Sequence, residues 1–155
     1  MSPKFSSELS TATPIHVVEQ DALETFLQDQ PDRAANWVRA SGFTGGLGSS
    51  VLIPAEDGAL EAVVAGHGTK ASRARGRFHL ASVASSLPEG IYRLKGLDAD
   101  LQSTEALGWL LSSYAFSRYR KQSGAKAQLV APPAVDAQRL EAIAAGEFLT
   151  RDLIN

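Results

Sequence analysis

The longest amphipathic run, Ser103 to Lys121 (STEALGWLLSSYAFSRYRK), constrains this chain more than any other stretch. Ser103 is placed to N-cap a helix, and Glu105 adds an acid to the first turn, beside the positive end of the helix dipole. Leu107, Leu110, Leu111 and Tyr114 follow the i, i+3, i+4, i+7 spacing of one helix face. Trp109 and Phe116 fall off that face and widen the apolar stripe. Arg118, Arg120 and Lys121 crowd the last turn, where the dipole favours cations. A helix apolar over more than half its girth belongs between layers, not on a surface. With no catalytic-looking side chain, it is predicted to be scaffold.

The remaining segments supply the layers. Met1 to Thr13 is rich in Ser and Thr and is expected to be a loose tail (residues 1–13). Pro14 to Val18 is β-branched and predicts a first strand. Asp21 and Glu24 have capping-box spacing ahead of a short helix with Leu23, Phe26 and Leu27 on its apolar face. Pro31 breaks it. Ala34, Ala35, Trp37 and Val38 predict a second helix ended by Gly42. Ser50–Pro54 and Leu60–Ala65, joined by Glu56-Asp57-Gly58, read as a hairpin. Phe78 to Leu87 predicts a helix, Ile91 to Leu94 a strand and Ala127 to Ala131 another. Asp136 caps a last helix with Leu140, Ile143, Ala144, Phe148 and Leu149 inward. This order predicts an α/β fold: a single three-layer-like domain, with a mixed β-sheet flanked by helices, over residues 14–149.

Composition excludes several function classes. The chain has 155 residues, enough for one domain with a proper core. Net charge is -2, which makes no global electrostatic case for nucleic acid or an anionic membrane. There is no cysteine, so disulfides, thiolate metal sites and cysteine nucleophiles are ruled out, and a reducing cytoplasm is the expected setting. No run of about 18 apolar residues exists to span a bilayer. Leu153-Ile154, apolar and without a following stop signal, suits a chain cut inside or just after a connecting helix; the sequence is expected to be a fragment.

Candidate chemistry is sparse. His16 lies in a strand, His67 between two glycines at a strand end, and His79 at a predicted helix start. No HxxxH or HxH pairing supplies two metal ligands from one element, so each is expected to be structural. His67 is the exception to watch, because strand ends in α/β sheets face ligand crevices. Gly45-Gly46-Leu47-Gly48 precedes a strand, whereas phosphate loops follow a strand and open a helix, so it is expected to be a connection. Lys70, Arg73, Arg75 and Arg77 form the one basic cluster, expected to be an exposed loop. No aromatic residues are interleaved among them to stack on bases. No nucleophile elbow and no dense acidic constellation is present. From the residues alone, no catalytic, cofactor-binding or metal-binding residue is assigned.

Four stretches together carry a family resemblance: Ser50 to Leu60, Leu87 to Leu94, Leu107-Gly108-Trp109 continuing through Tyr114 to Tyr119, and Phe148 to Asn155. In that order they resemble the N-terminal domain of bacterial leucyl aminopeptidases, the cytosol aminopeptidase family of metallopeptidases. Arg151-Asp152-Leu153-Ile154-Asn155 stands where that domain joins the catalytic one, so residues 150–155 would begin the linker. The resemblance implies a fold similar to macro domains. It also implies a parent enzyme that releases N-terminal residues from peptides with two divalent metal ions, zinc or manganese, and that assembles as a hexamer. The metal ligands, a catalytic lysine and a bicarbonate-holding arginine would all lie in a C-terminal domain. That domain's Asn-Thr-Asp-Ala-Glu-Gly-Arg segment is absent here. Two other readings follow from the same features: a stand-alone module binding ADP-ribose or a related nucleotide, and a nucleic-acid-binding domain resting on Lys70 to Arg77.

Overall fold

The computed structural model describes residues 3–114 and 127–154. Five strands form one sheet in the order β2-β3-β1-β4-β5: β1 (Thr13–Val18), β2 (Ser50–Pro54), β3 (Leu60–Gly66), β4 (Gly90–Lys95) and β5 (Ala127–Leu129). The β2–β3 hairpin is antiparallel and every other pairing is parallel, which gives the expected mixed sheet. Six helices are described: α1 (Leu23–Gln28), α2 (Asp32–Ala40), α3 (Lys70–Arg73), α4 (Ala81–Ser86), α5 (Ala99–Ser112) and α6 (Ala137–Ile154).

Strand alternation divides the core in two. Ile15, Val17, Val63, Ala65 and Tyr92 point to one face, where they meet Leu80, Val83, Trp109, Leu110, Leu140 and Ala144. Val18, Val64, Ala62, Val51 and Ile53 point to the other and meet Leu23, Leu27, Ala35 and Val38. Helices α1 and α2 therefore cover one face, and α4, α5 and α6 the other. The three-layer expectation holds. Trp37 lies half exposed over the edge strand, where its indole donates to Leu52 O at 2.8 Å and occupies an edge carbonyl.

Several local expectations change. Helix α5 begins at Ala99, four residues before Ser103, with Asp98 at the N-cap and Asp100 in the first turn. This places Glu105 in the middle of the helix, where it is 3% exposed. The helix ends at Ser112; residues 115–121 of the predicted run lie outside the described residues. The buried side is Glu105, Ala106, Gly108, Trp109 and Leu110, so Trp109 faces the core and donates from its indole to Ala127 O at 2.9 Å. Asp21 sits in a 3-10 turn and forms no cap on α1. Helix α4 starts at Ala81, because Phe78 takes a left-handed backbone conformation that no helix can include. On α6, Leu140, Ala144 and Phe148 are buried, but Ile143 and Leu149 face outward.

Several of the first residues touch the body of the domain. Pro3 is buried, Phe5 packs on the core, and Phe5 N donates to Glu141 Oε2 at 2.8 Å. Ser6 bridges Val130 in the parallel sense, its N–H donating to Leu129 O at 2.8 Å.

Gly108 is a point of close approach. A Cβ built there would stand 2.7 Å from Phe78 Cβ and Cδ1. Replacing Gly108 with leucine is expected to lower stability by about 1–3 kcal/mol through overpacking. An unchanged thermal midpoint would show that Phe78 can move aside at no cost.

Candidate functional site

The parallel strands β1, β3, β4 and β5 deliver their carboxyl ends to one edge of the sheet. Ligands in open α/β sheets bind at that edge. Past Gly66, the last residue of β3, the chain runs His67-Gly68, and His67 N donates to Val18 O at 2.9 Å, extending the ladder by one residue. His67 is 3% exposed, and its Nε2 has no hydrogen-bond partner among the described residues.

The connection from β3 to β4 wraps over this histidine. Thr69 and Ser72 form a reciprocal capping box that starts α3. At the end of α3, Arg73 donates from Nη1 to His67 O at 2.7 Å and from Nη2 to Glu19 Oε1 at 3.1 Å. Phe78 follows with φ 62°, uncommon for a bulky residue. Two features hold it there. Its side chain occupies the space left by Gly108, and the next two N–H groups, of His79 and Leu80, donate to Glu105 at 2.8 and 3.0 Å. The guanidinium of Arg77 stacks 4.6 Å from the Phe78 ring centroid. The His67 and His79 rings meet edge to face at 6.1 Å.

His67, Arg73, Arg77 and His79, with Leu101, Thr104 and Glu105 of α5, line an open cavity of about 180 Å³. Burial holds the His67 imidazole down at about 4, helped by the charges of Arg73 and His79 and opposed by Glu19 and Asp98. The ring is therefore neutral at physiological pH. The volume is below the roughly 300–1,000 Å³ usual for drug-sized ligands, which argues against ADP-ribose in this cavity.

The sequence candidates separate in space. His67 and His79 come together although 12 positions apart, and His16 lies on the other face of the sheet, tilted against Phe26 at 5.2 Å. Burial lowers the His16 pKa, with Lys95 and Arg93 adding to the effect. The basic stretch is not simply an exposed loop. Lys70 to Arg73 is helical and Arg73 turns inward, with 13% of its side chain exposed, while Lys70, Arg75 and Arg77 remain outside. Gly45 and Gly46 pack against the end of β3: Gly68 N donates to Gly45 O, and a Cβ on Gly66 would fall 2.1 Å from Gly46 O. The glycines serve backbone-to-backbone contact, as expected of a connection.

Glu105 belongs to this site, although the sequence pattern gives it only a place in a helix's first turn. The available signal was its position between Leu101 and Trp109 at i±4 spacing, a carboxylate on the inward side of a helix. Such a group needs donors from a neighbouring element. Among the described residues, no group of three or more His, Asp or Glu is arranged to hold a metal ion. The residues here do not fit the two-metal centre that the resemblance implies.

Comparison with known proteins decides the family. A model of the M17 aminopeptidase N-terminal domain matches residues 13–132. The chain belongs to the M17 aminopeptidase family. A cytosol aminopeptidase from Coxiella burnetii is 32% identical, with a TM-score of 0.83 over 96% of this chain and 32% of that one. A tomato leucine aminopeptidase variant shares the fold at 19% identity, with a TM-score of 0.63 over 98% of this chain and 37% of its own. The bottromycin maturation enzyme BotP, solved in complex with Mn, does so at 24% identity and a TM-score of 0.64, over 94% of this chain and 32% of its own. A search among curated proteins gives no match. The chain thus spans about a third of the length of these solved relatives. No described helix of this M17 domain is long and apolar enough to cross a membrane.

Two outcomes follow from the site geometry. The folded His67 binds its proton near 4, the unfolded one near 6.5, so between these values the unfolded state holds more protons and stability rises with pH. This contribution is complete above the unfolded value and is lost as pH falls through the folded one. Denaturant unfolding is expected to weaken by up to about 3 kcal/mol between about pH 7 and about pH 4. His67→Gln is expected to flatten that slope; identical slopes in the two proteins would rule His67 out as its source. Glu105→Gln keeps the shape but offers one acceptor oxygen to two donors. It is expected to cost about 1–3 kcal/mol, read from the urea midpoint.

Proposed function

We propose that this chain is the non-catalytic N-terminal domain of a two-metal leucyl aminopeptidase, and that it serves assembly or shapes the active site of a catalytic domain that follows it. The observation that carries this reading is the match of residues 13–132 to the M17 N-terminal domain, over about a third of the length of the solved relatives. The catalytic partner would then hold the metals, zinc or manganese, and release N-terminal amino acids from peptides. In this reading the whole enzyme is cytoplasmic and hexameric, and residues 150–155 begin the link between domains.

The far end of α6 supports the link. Ile143, Leu149, Leu153 and Ile154 are 44, 61, 79 and 79% exposed, whereas Leu140, Ala144 and Phe148 of the same helix are buried. Apolar residues left exposed on a helix ask for a second partner. In this reading that partner is the chain's own catalytic domain.

The purified chain is expected to release no chromophore from a leucine anilide with added manganese or zinc. Release abolished by a chelator would refute a non-catalytic role. A double change, Leu153→Ser with Ile154→Ser, is expected to leave the stability of the chain within about 0.5 kcal/mol. The same change is expected to weaken co-purification with a separately expressed catalytic domain. Undiminished recovery of the complex would place the contact elsewhere.

A further inference from the structure

We infer that the part of the sheet formed by β1, β4 and β5, on the face away from α4, α5 and α6, docks an extended acidic segment of a partner polypeptide. Strand alternation and the parallel register set out this surface. Pro14 lies beside Arg93, His16 beside Lys95, and Ile91 beside Gln128, all on the face that Val18 shares. Helices α1 and α2 reach only as far as β1. The core beneath them takes strand residues from β1, β2 and β3, and none from β4 or β5. Ile91 packs into neither core. His16, Ile91 and Arg93 are half-buried, and Lys95 and Gln128 are exposed. Among the described residues, no helix covers these side chains.

The chemistry of the face selects its occupant. Among the described residues, ion pairs engage Arg33, Arg39, Arg73 and Arg151, and none engages Arg93 or Lys95. Burial, Lys95 and Arg93, in that order, lower the His16 pKa, so both cations are felt at the middle of the patch. Arg93 and Lys95 are two residues apart on β4, which sets their side chains about 7 Å apart along the strand. An extended partner presents every second side chain at the same repeat. Carboxylates at alternate positions of such a segment meet both cations, while its apolar atoms cover Ile91 and Pro14. A nucleic acid fits this face less well. The chain's net charge is -2, two permanent cations release few counterions, and the bordering ring of Phe26 is packed against His16 and not open to a base.

The test titrates a peptide that alternates glutamate with valine into the isotope-labelled chain at low salt, while backbone amide and histidine ring resonances are followed. Saturable shifts are expected at β4 and at the His16 ring, with a Kd of about 1 mM that weakens as salt is raised. Arg93→Gln with Lys95→Gln, outside both cores, is expected to raise Kd at least about tenfold. Lys70→Gln with Arg75→Gln, which removes the same charge from the exposed part of the β3–β4 connection, is expected to leave it unchanged. Lys95→Glu alone, at an exposed position, is expected to lose the glutamate peptide and to shift at β4 with its lysine counterpart. Equal weakening by the two double variants, or shifts without a focus on β4, would reduce the effect to net charge and overturn the site. Tighter binding of a short oligothymidylate would overturn the polypeptide in favour of a nucleic acid. Shifts at β4 that follow chain concentration without added peptide would overturn it in favour of a second copy of the chain.

Discussion

The buried carboxylate of Glu105 is the interaction on which the rest of this structure depends. A carboxylate can be taken out of water only if its charge is met by donors. Here the donors are the N–H groups of His79 and Leu80, at 2.8 and 3.0 Å, from a connection 25 or more residues away in sequence. Two hydrogen bonds to a charged acceptor fasten the β3–β4 connection to α5. Everything at the cavity follows from that fastening. Phe78 is turned into its left-handed conformation over Gly108, Arg77 lies across the phenyl ring, and His79 is carried to within 6.1 Å of His67.

The same arrangement explains how an M17 domain can combine a rigid centre with outward-facing features. The sheet is covered on one face by α1 and α2 and on the other by α4, α5 and α6, with separate cores on the two sides. The cavity sits above the sheet's carboxyl edge, and the outer side of α6 lies beyond the core. Neither contributes a metal-ligating cluster among the described residues.

Legibility in the sequence followed the range of the interactions. The strands Thr13–Val18, Ser50–Pro54 and Leu60–Gly66 were read nearly to the residue, because β-branched runs and Asp57-Gly58 act locally. Helix α5 starts four residues before Ser103, since Ser103 is a good cap residue in isolation while Asp98 followed by Asp100 suits the actual first turn. That shift hid Glu105, which looked like a first-turn acid and is a core residue. The last helix was read with its inner face too wide. Ile143 and Leu149 have the apolar character of inward residues but fall on the outer side once Leu140, Ala144 and Phe148 set the rotation. The close approach at Gly108 was expected from a glycine inside a helical pattern, and Phe78 is the neighbour.

By itself, the sequence determined the α/β class, the hairpin, the absence of thiol chemistry and, through four ordered segments, the family. The first three rest on periodicity, turn residues and composition, which are properties of neighbouring positions; the family rests on the resemblance of those segments alone. Only the tertiary structure decided which histidines meet, that Arg73 turns inward, and that Glu105 is the acceptor for another element's backbone. Those outcomes depend on contacts between residues far apart in the chain. A carboxylate or a histidine carries no local mark of the partner that burial will bring to it.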